Sequence, residues 1–150
     1  MNKVPAKTLF IEFVAATFVC LFVYTALTKF NDHRLFLAAI KQIPLLHPFS
    51  LIVSFAVPVV EILIGVLLFI PASRSVGLVC ATALMAVFTC YVALLFFSMK
   101  DLPCSCGGVI AQLTWPQHLV FNILFLVLGL SAIVVDKRII AINRRSRIPA

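Results

Sequence analysis

Two cysteines one residue apart, Cys104 and Cys106, stand in the stretch DLPCSCGG (residues 101–108) of a chain made mostly of Leu, Val, Ile, Phe and Ala. Thiols so placed can exchange with disulfides, hold a soft metal ion, or close a fixed crosslink. Structural zinc usually takes four ligands in spaced pairs, and the other candidates, His118, His33, His47 and Met99, form no second pair. A Cu(I) site built from two thiolates is chemically feasible. Redox exchange is the reading that the residues favour. A CxC pair closes only a very small disulfide ring, whose strained geometry makes it easier to reduce. Gly107 and Gly108 permit the sharp turn such a ring needs. The thiolate is the reactive species, and nearby positive charge lowers its pKa. Lys100 and His118 are placed to supply that charge.

Glu61 is the second residue whose type and place invite chemistry. It sits about eleven residues into an apolar run, roughly 16 Å at the rise of an α-helix. An acid at that depth costs on the order of 3 kcal/mol, so it must face inward and be protonated or hydrogen-bonded. Pro58, one turn earlier, frees the carbonyl of Ser54 as a local partner. Glu61, Tyr24 and Asn122 are the candidate lining of an inner cavity that handles protons or holds a quinone or another redox group. Cys20 and Cys90 lie at matching depths on oppositely running segments, and Cys80 has no evident partner.

The elements that must position these residues follow from composition. The chain of 150 residues is 63% hydrophobic and only 11% charged, with a mean hydropathy of +1.18. A soluble domain carries about a quarter charged residues. Continuous apolar runs of about 20 residues are what helices need to cross a bilayer. Four such runs occur, at 8–28, 50–70, 76–98 and 117–135, followed by a basic tail over 136–150. The first is too long for a signal peptide and contains Glu12. The expected fold is therefore an all-α integral membrane four-helix bundle in a single domain.

Charge sets the expected orientation. Lys3, Lys7, Arg74, Lys137, Arg138, Arg144, Arg145 and Arg147 fall on one side of such a bundle, and Lys29, Arg34, Lys41 and Lys100 on the other. The positive-inside bias puts both termini in the cytoplasm and the CSC loop outside, where disulfides persist. The net charge of +7 thus reflects membrane topology and not nucleic-acid binding. Residues 31–43, NDHRLFLAAIKQI, read as a short interfacial helix in the first outer loop, started by Asn or Asp and stopped before Pro44. In TWPQ, Thr114 and Gln117 have capping-box spacing, so the last helix starts just after the CSC segment. Trp115 suits the membrane interface. Small and polar stripes suggest the inward faces: Thr17, Cys20, Tyr24 and Thr28; Ser54, Pro58, Glu61 and Gly65; Thr82, Ala86, Thr89 and Ala93; His118, Asn122, Gly129 and Ala132.

Taken together, CSCGG ahead of TWPQHLVFN and the acid in VPVVEILIGVLLF resemble the MauE/DoxX-like membrane redox proteins over roughly residues 10–135. Cys104–Gly107, Asn122 and the stretch around Glu61 carry the likeness. Gly108 stands where that group commonly has Phe, and Phe121 where a basic residue often precedes the Asn. The resemblance implies an electron or disulfide carrier in the inner (cytoplasmic) membrane, working with a thioredoxin-like periplasmic protein or a disulfide-containing substrate. Its methylamine-utilisation members are implicated in maturing a disulfide-rich dehydrogenase subunit. Coupling to a quinone is suggested by analogy of architecture with other four-helix thiol oxidoreductases. Two readings compete: a Cu(I)-handling membrane protein, and a membrane subunit or transporter that works through Glu61 with a merely structural CSC disulfide.

Overall fold

The computed structural model describes residues 6–43, 46–98 and 114–145. Among them every regular element is helical: α1 (Ala6–Asn31), α2 (His33–Lys41), a single 3-10 turn (His47–Phe49), α3 (Ser50–Phe69), α4 (Arg74–Ser98) and α5 (Trp115–Arg145). Four of these helices are long and apolar enough to cross a membrane. They run alternately up and down. α1 packs chiefly on α3 and α4 on α5, with α3 against α4 and α1 against α5 closing the bundle.

The helices begin and end for local reasons. α5 starts with half of a capping box, in which the Thr114 backbone N–H donates to Gln117 Oε1 at 3.0 Å. α2 is preceded by Asp32, but that side chain makes no capping bond. The first turn is held by backbone, with the N–H groups of Leu35 and Phe36 donating to the Asp32 carbonyl. Between α3 and α4 the chain reverses within four residues, and the Ser73 hydroxyl donates to the carbonyl of Leu67 at 2.9 Å.

α5 differs from its expected span. It runs on to Arg145 instead of ending at 135, because DKRIIAINRR holds neither glycine nor proline. Its cations also suit the negative end of a helix dipole. α1 likewise extends past Thr28 to Asn31.

The bundle has a solid half and a hollow half. In the solid half Ile11, Val14, Ala15, Phe18 and Phe22 of α1 meet Ile64 and Leu68 of α3 and Leu78, Ala81 and Met85 of α4. Phe125 of α5 closes the layer edge-on to Phe18, ring centroids 5.5 Å apart. Two glycines set the spacing here. A Cβ on Gly77 would lie 2.9 Å from the Leu68 backbone nitrogen, and one on Gly129 would run into the side chain of Thr82. At the end of this half farthest from the cavity Arg74 pairs with Glu12 at 3.4 Å, and the Ser75 hydroxyl donates to Asp136 Oδ2 at 2.6 Å.

Gly77 and Gly65 make a matched test of this packing. A methyl at Gly77 strikes backbone, which cannot yield like a side chain, whereas one at Gly65 meets only Val23 Cγ2 at 3.9 Å. Gly77→Ala should destabilise the detergent-solubilised protein by about 1–3 kcal/mol, and Gly65→Ala by much less. Thermal unfolding of the two variants side by side checks this.

Candidate functional site

The hollow half contains a cavity of about 260 Å³. It lies between the C-terminal end of α1, the N-terminal half of α3, the C-terminal half of α4 and the first turns of α5. Its walls are mostly apolar, from Phe22, Val57, Met85, Phe88, Val92 and Phe121 among others, and α2 contributes Phe36 and Ile40 as a roof. α3 reaches beyond the end of α1, and α2 fills the step, with the His33 ring on that of Phe55 at 4.4 Å. The interfacial helix expected over 31–43 thus covers the mouth of the bundle.

Polar atoms are gathered at one part of this wall. Glu61 is fully buried, and Lys29 Nζ donates to its Oε1 at 2.6 Å. Lys29 is itself buried, and its ammonium sits 5.7 Å from the Phe36 ring centroid and 5.6 Å from that of Phe88. Aromatic faces at that distance attract a cation and partly replace its lost water. Thr25, one turn back on α1, also lines the cavity and donates its hydroxyl proton to the Phe22 carbonyl at 3.2 Å. Among the described residues, two buried atoms of the lining have no hydrogen-bond partner: Glu61 Oε2, an acceptor, and Asn122 Nδ2, a donor. His118 is buried on the same wall, one turn before Asn122.

Measured against the sequence, Glu61, His118 and Asn122 come together around one cavity. Tyr24 does not join them. It is 37% exposed on the outer side of α1 and is not part of the cavity lining. The reason is that α1 turns its bulky stripe inward, so the Thr17–Cys20–Tyr24–Thr28 stripe is rotated away. Thr17 and Thr28 satisfy their hydroxyls on the carbonyls of Phe13 and Thr25, which lets them sit outside the core. Cys20 and Cys90 are likewise exposed on the outside of their helices. On α4 the buried positions are Gly77, Leu78, Ala81, Thr82, Met85 and Val92, and Ala86, Thr89 and Ala93 are half-buried beside them.

The partner of Glu61 also differs from expectation. It is Lys29 on the neighbouring helix and not the Ser54 carbonyl. Lys29 reads from sequence as one of the outer-loop cations because it lies in the last turn of α1. The clue was the acid itself, since an intramembrane carboxylate calls for a cation on a facing helix. Cys104, Cys106 and Lys100 lie outside the described residues, as does the side chain of Trp115. The end of α4 and the start of α5, between which Cys104, Cys106 and Lys100 fall in sequence, lie at the hollow end of the bundle. Among the described residues no three or more His, Cys, Asp and Glu side chains are grouped so as to hold a metal ion.

The family model described as methylamine utilisation protein MauE matches residues 7–135. No curated protein and no solved structure gives a significant match.

A buried charge whose partner is removed is costly, whereas replacing both charges can be close to neutral. Lys29→Met and Glu61→Leu should each lower stability by about 3 kcal/mol, and Lys29→Met/Glu61→Leu together should recover most of that loss. Unfolding midpoints of the four proteins in one detergent give the coupling directly. Additive losses in the double variant would mean that the pair contributes nothing as a pair.

Proposed function

Because the chain belongs to the MauE family, with four helices long and apolar enough to span a bilayer, we propose that it is a membrane thiol–disulfide redox protein. Cys104 and Cys106 cycle between dithiol and disulfide. One of them forms a mixed disulfide with a cysteine of a thioredoxin-like protein or disulfide-containing substrate, and the other resolves it. In each exchange one S–S bond forms as another breaks, so electrons balance between the two proteins. The observation that carries this reading is the position of the cavity, polar on one wall, between the two helix ends that the CSC segment joins.

The chain's own residues divide the work. His118, buried at the start of α5, and Lys100 favour the thiolate form of the pair. Lys29, Glu61 and Asn122 provide one charged donor, one open acceptor and one open donor inside an apolar chamber. That set fits a quinone head, whose ring suits the Phe walls and whose two oxygens need hydrogen bonds. A quinone held there would supply a two-electron, two-proton couple, the quinone for oxidation of the dithiol and its quinol for reduction of the disulfide. Its four spanning helices take the lipid bilayer as their solvent.

Orientation follows from charge. Lys29 is withdrawn into the bundle, which leaves Arg34, Lys41 and Lys100 at the CSC end against eight cations at the other. The bias places both termini in the cytoplasm and the cysteine pair on the periplasmic side of the inner membrane.

Acid-quenched labelling of intact cells with a membrane-impermeant maleimide tests the cysteine chemistry. Wild-type Cys104 and Cys106 should label only after reductant, and Cys104→Ser or Cys106→Ser should trap a second protein in a mixed disulfide. Free labelling without reductant, and no adduct in either variant, would rule out exchange.

A further inference from the structure

The two open polar atoms of the cavity do not ask for the same ligand chemistry. Asn122 Nδ2 can only donate, and so needs an acceptor. Glu61 Oε2 can only accept: Lys29 Nζ donates to Oε1 at 2.6 Å and leaves Oε2 as the open lone-pair site of the carboxylate. A ligand that completes the site must therefore carry a hydrogen-bond donor as well as an acceptor. The rest of the lining is apolar and aromatic, including Phe36, Phe88 and Phe121. An apolar cavity of about 150 Å³ is enough for a benzene ring, so about 260 Å³ accommodates one substituted six-membered ring.

We infer that this cavity recognises the reduced, hydroxyl-bearing form of its ring ligand, a quinol, in preference to the oxidised quinone. The inference rests on the quinone reading above. A quinone has two carbonyl oxygens and no donor. It can take hydrogen bonds from Asn122 Nδ2 and Lys29 Nζ, but it leaves Glu61 Oε2 unpaired in an apolar enclosure, where an unmet charged acceptor is most costly. A quinol hydroxyl answers both atoms at once: its O–H donates to Glu61 Oε2 and its oxygen accepts from Asn122 Nδ2.

The preference bears on the direction of electron flow. A site that binds the reduced form tenfold tighter raises the potential of the bound couple by about 30 mV, the value of a tenfold ratio for two electrons. Oxidising one dithiol to a disulfide releases two electrons and two protons, the same number that separates a quinone from its quinol. The cavity thus shifts the balance toward electrons leaving the cysteines, the direction in which disulfides form.

Calorimetric titration of the purified full chain in nanodiscs, under anaerobic conditions, tests this directly. The probes are a benzoquinol with a ten-carbon tail and the matching benzoquinone. Wild type should bind the quinol at least about tenfold tighter, the scale of one charge-assisted hydrogen bond. In Glu61→Gln, Lys29 would hold the amide oxygen and turn the NH2 group to the cavity, so the preference should vanish or reverse. Asn122→Leu should weaken both forms, the quinone more, and so widen the preference. Equal affinities in wild type, or an undiminished preference in Glu61→Gln, would overturn the inference while leaving a quinone site in place. Should Glu61→Gln fail to fold, Asn122→Leu decides, and a narrowed preference there counts against it. If neither form binds, the quinone part of the proposed function falls too, whereas cysteine exchange is read separately by the trapping experiment.

Discussion

The buried pair of Lys29 and Glu61 is the constraint around which the rest of this bundle is arranged. In hydrocarbon neither charge can find water, and each alone would cost several kcal/mol. The pair fixes the register of α1 against α3, since the last turn of one must meet the middle of the other at 2.6 Å. That register leaves α3 longer than α1 at the same end. The step so created is what α2 fills, and Phe36 of α2 and Phe88 of α4 lend their ring faces to the ammonium. One electrostatic requirement therefore accounts for a helix offset, a roof and a polar cavity wall.

Packing supplies what the ion pair does not. The far half of the bundle is filled by aromatic and branched side chains, with Phe18 at its centre touching both Phe22 and Phe125. Gly77 and Gly129 allow α4 to come close to its two neighbours where no side chain would fit. Rigidity at that end lets the other end stay open. A hollow beside an unpacked bottom would simply collapse, since helices in lipid are held largely by close packing and by polar contacts between them.

Much of this was legible in the residues, and the exceptions have a physical pattern. The inward stripes of α3 and α5 were readable because they carry groups that hydrocarbon rejects: Ser54 and Glu61 on one, His118 and Asn122 on the other, all buried. The stripe on α1 was misjudged because threonine and cysteine are ambiguous there. A threonine hydroxyl can return its proton to the preceding turn, as Thr17 and Thr28 do, and then it faces lipid at little cost. Phenylalanine is equally content in lipid and in a core, so Phe18 and Phe22 gave no signal of their own. Lys29 was read as a loop cation because lysine near a helix end commonly extends toward water. Only the need of Glu61 for a partner distinguished the two cases. The end of α5 was missed since a basic segment after a span reads as a tail, whether or not it is helical.

The pairing within the hollow half has an electrical consequence. Wherever the shared proton rests, on the amine or on the carboxyl, Lys29 and Glu61 together carry no net charge. Moving one elementary charge through a membrane potential of 100 mV involves about 2.3 kcal/mol. A neutral molecule entering or leaving the space beside this pair involves none of that work. Occupancy of this cavity is accordingly blind to the voltage across the membrane, and a cell could energise or discharge its bilayer without loading or emptying the site.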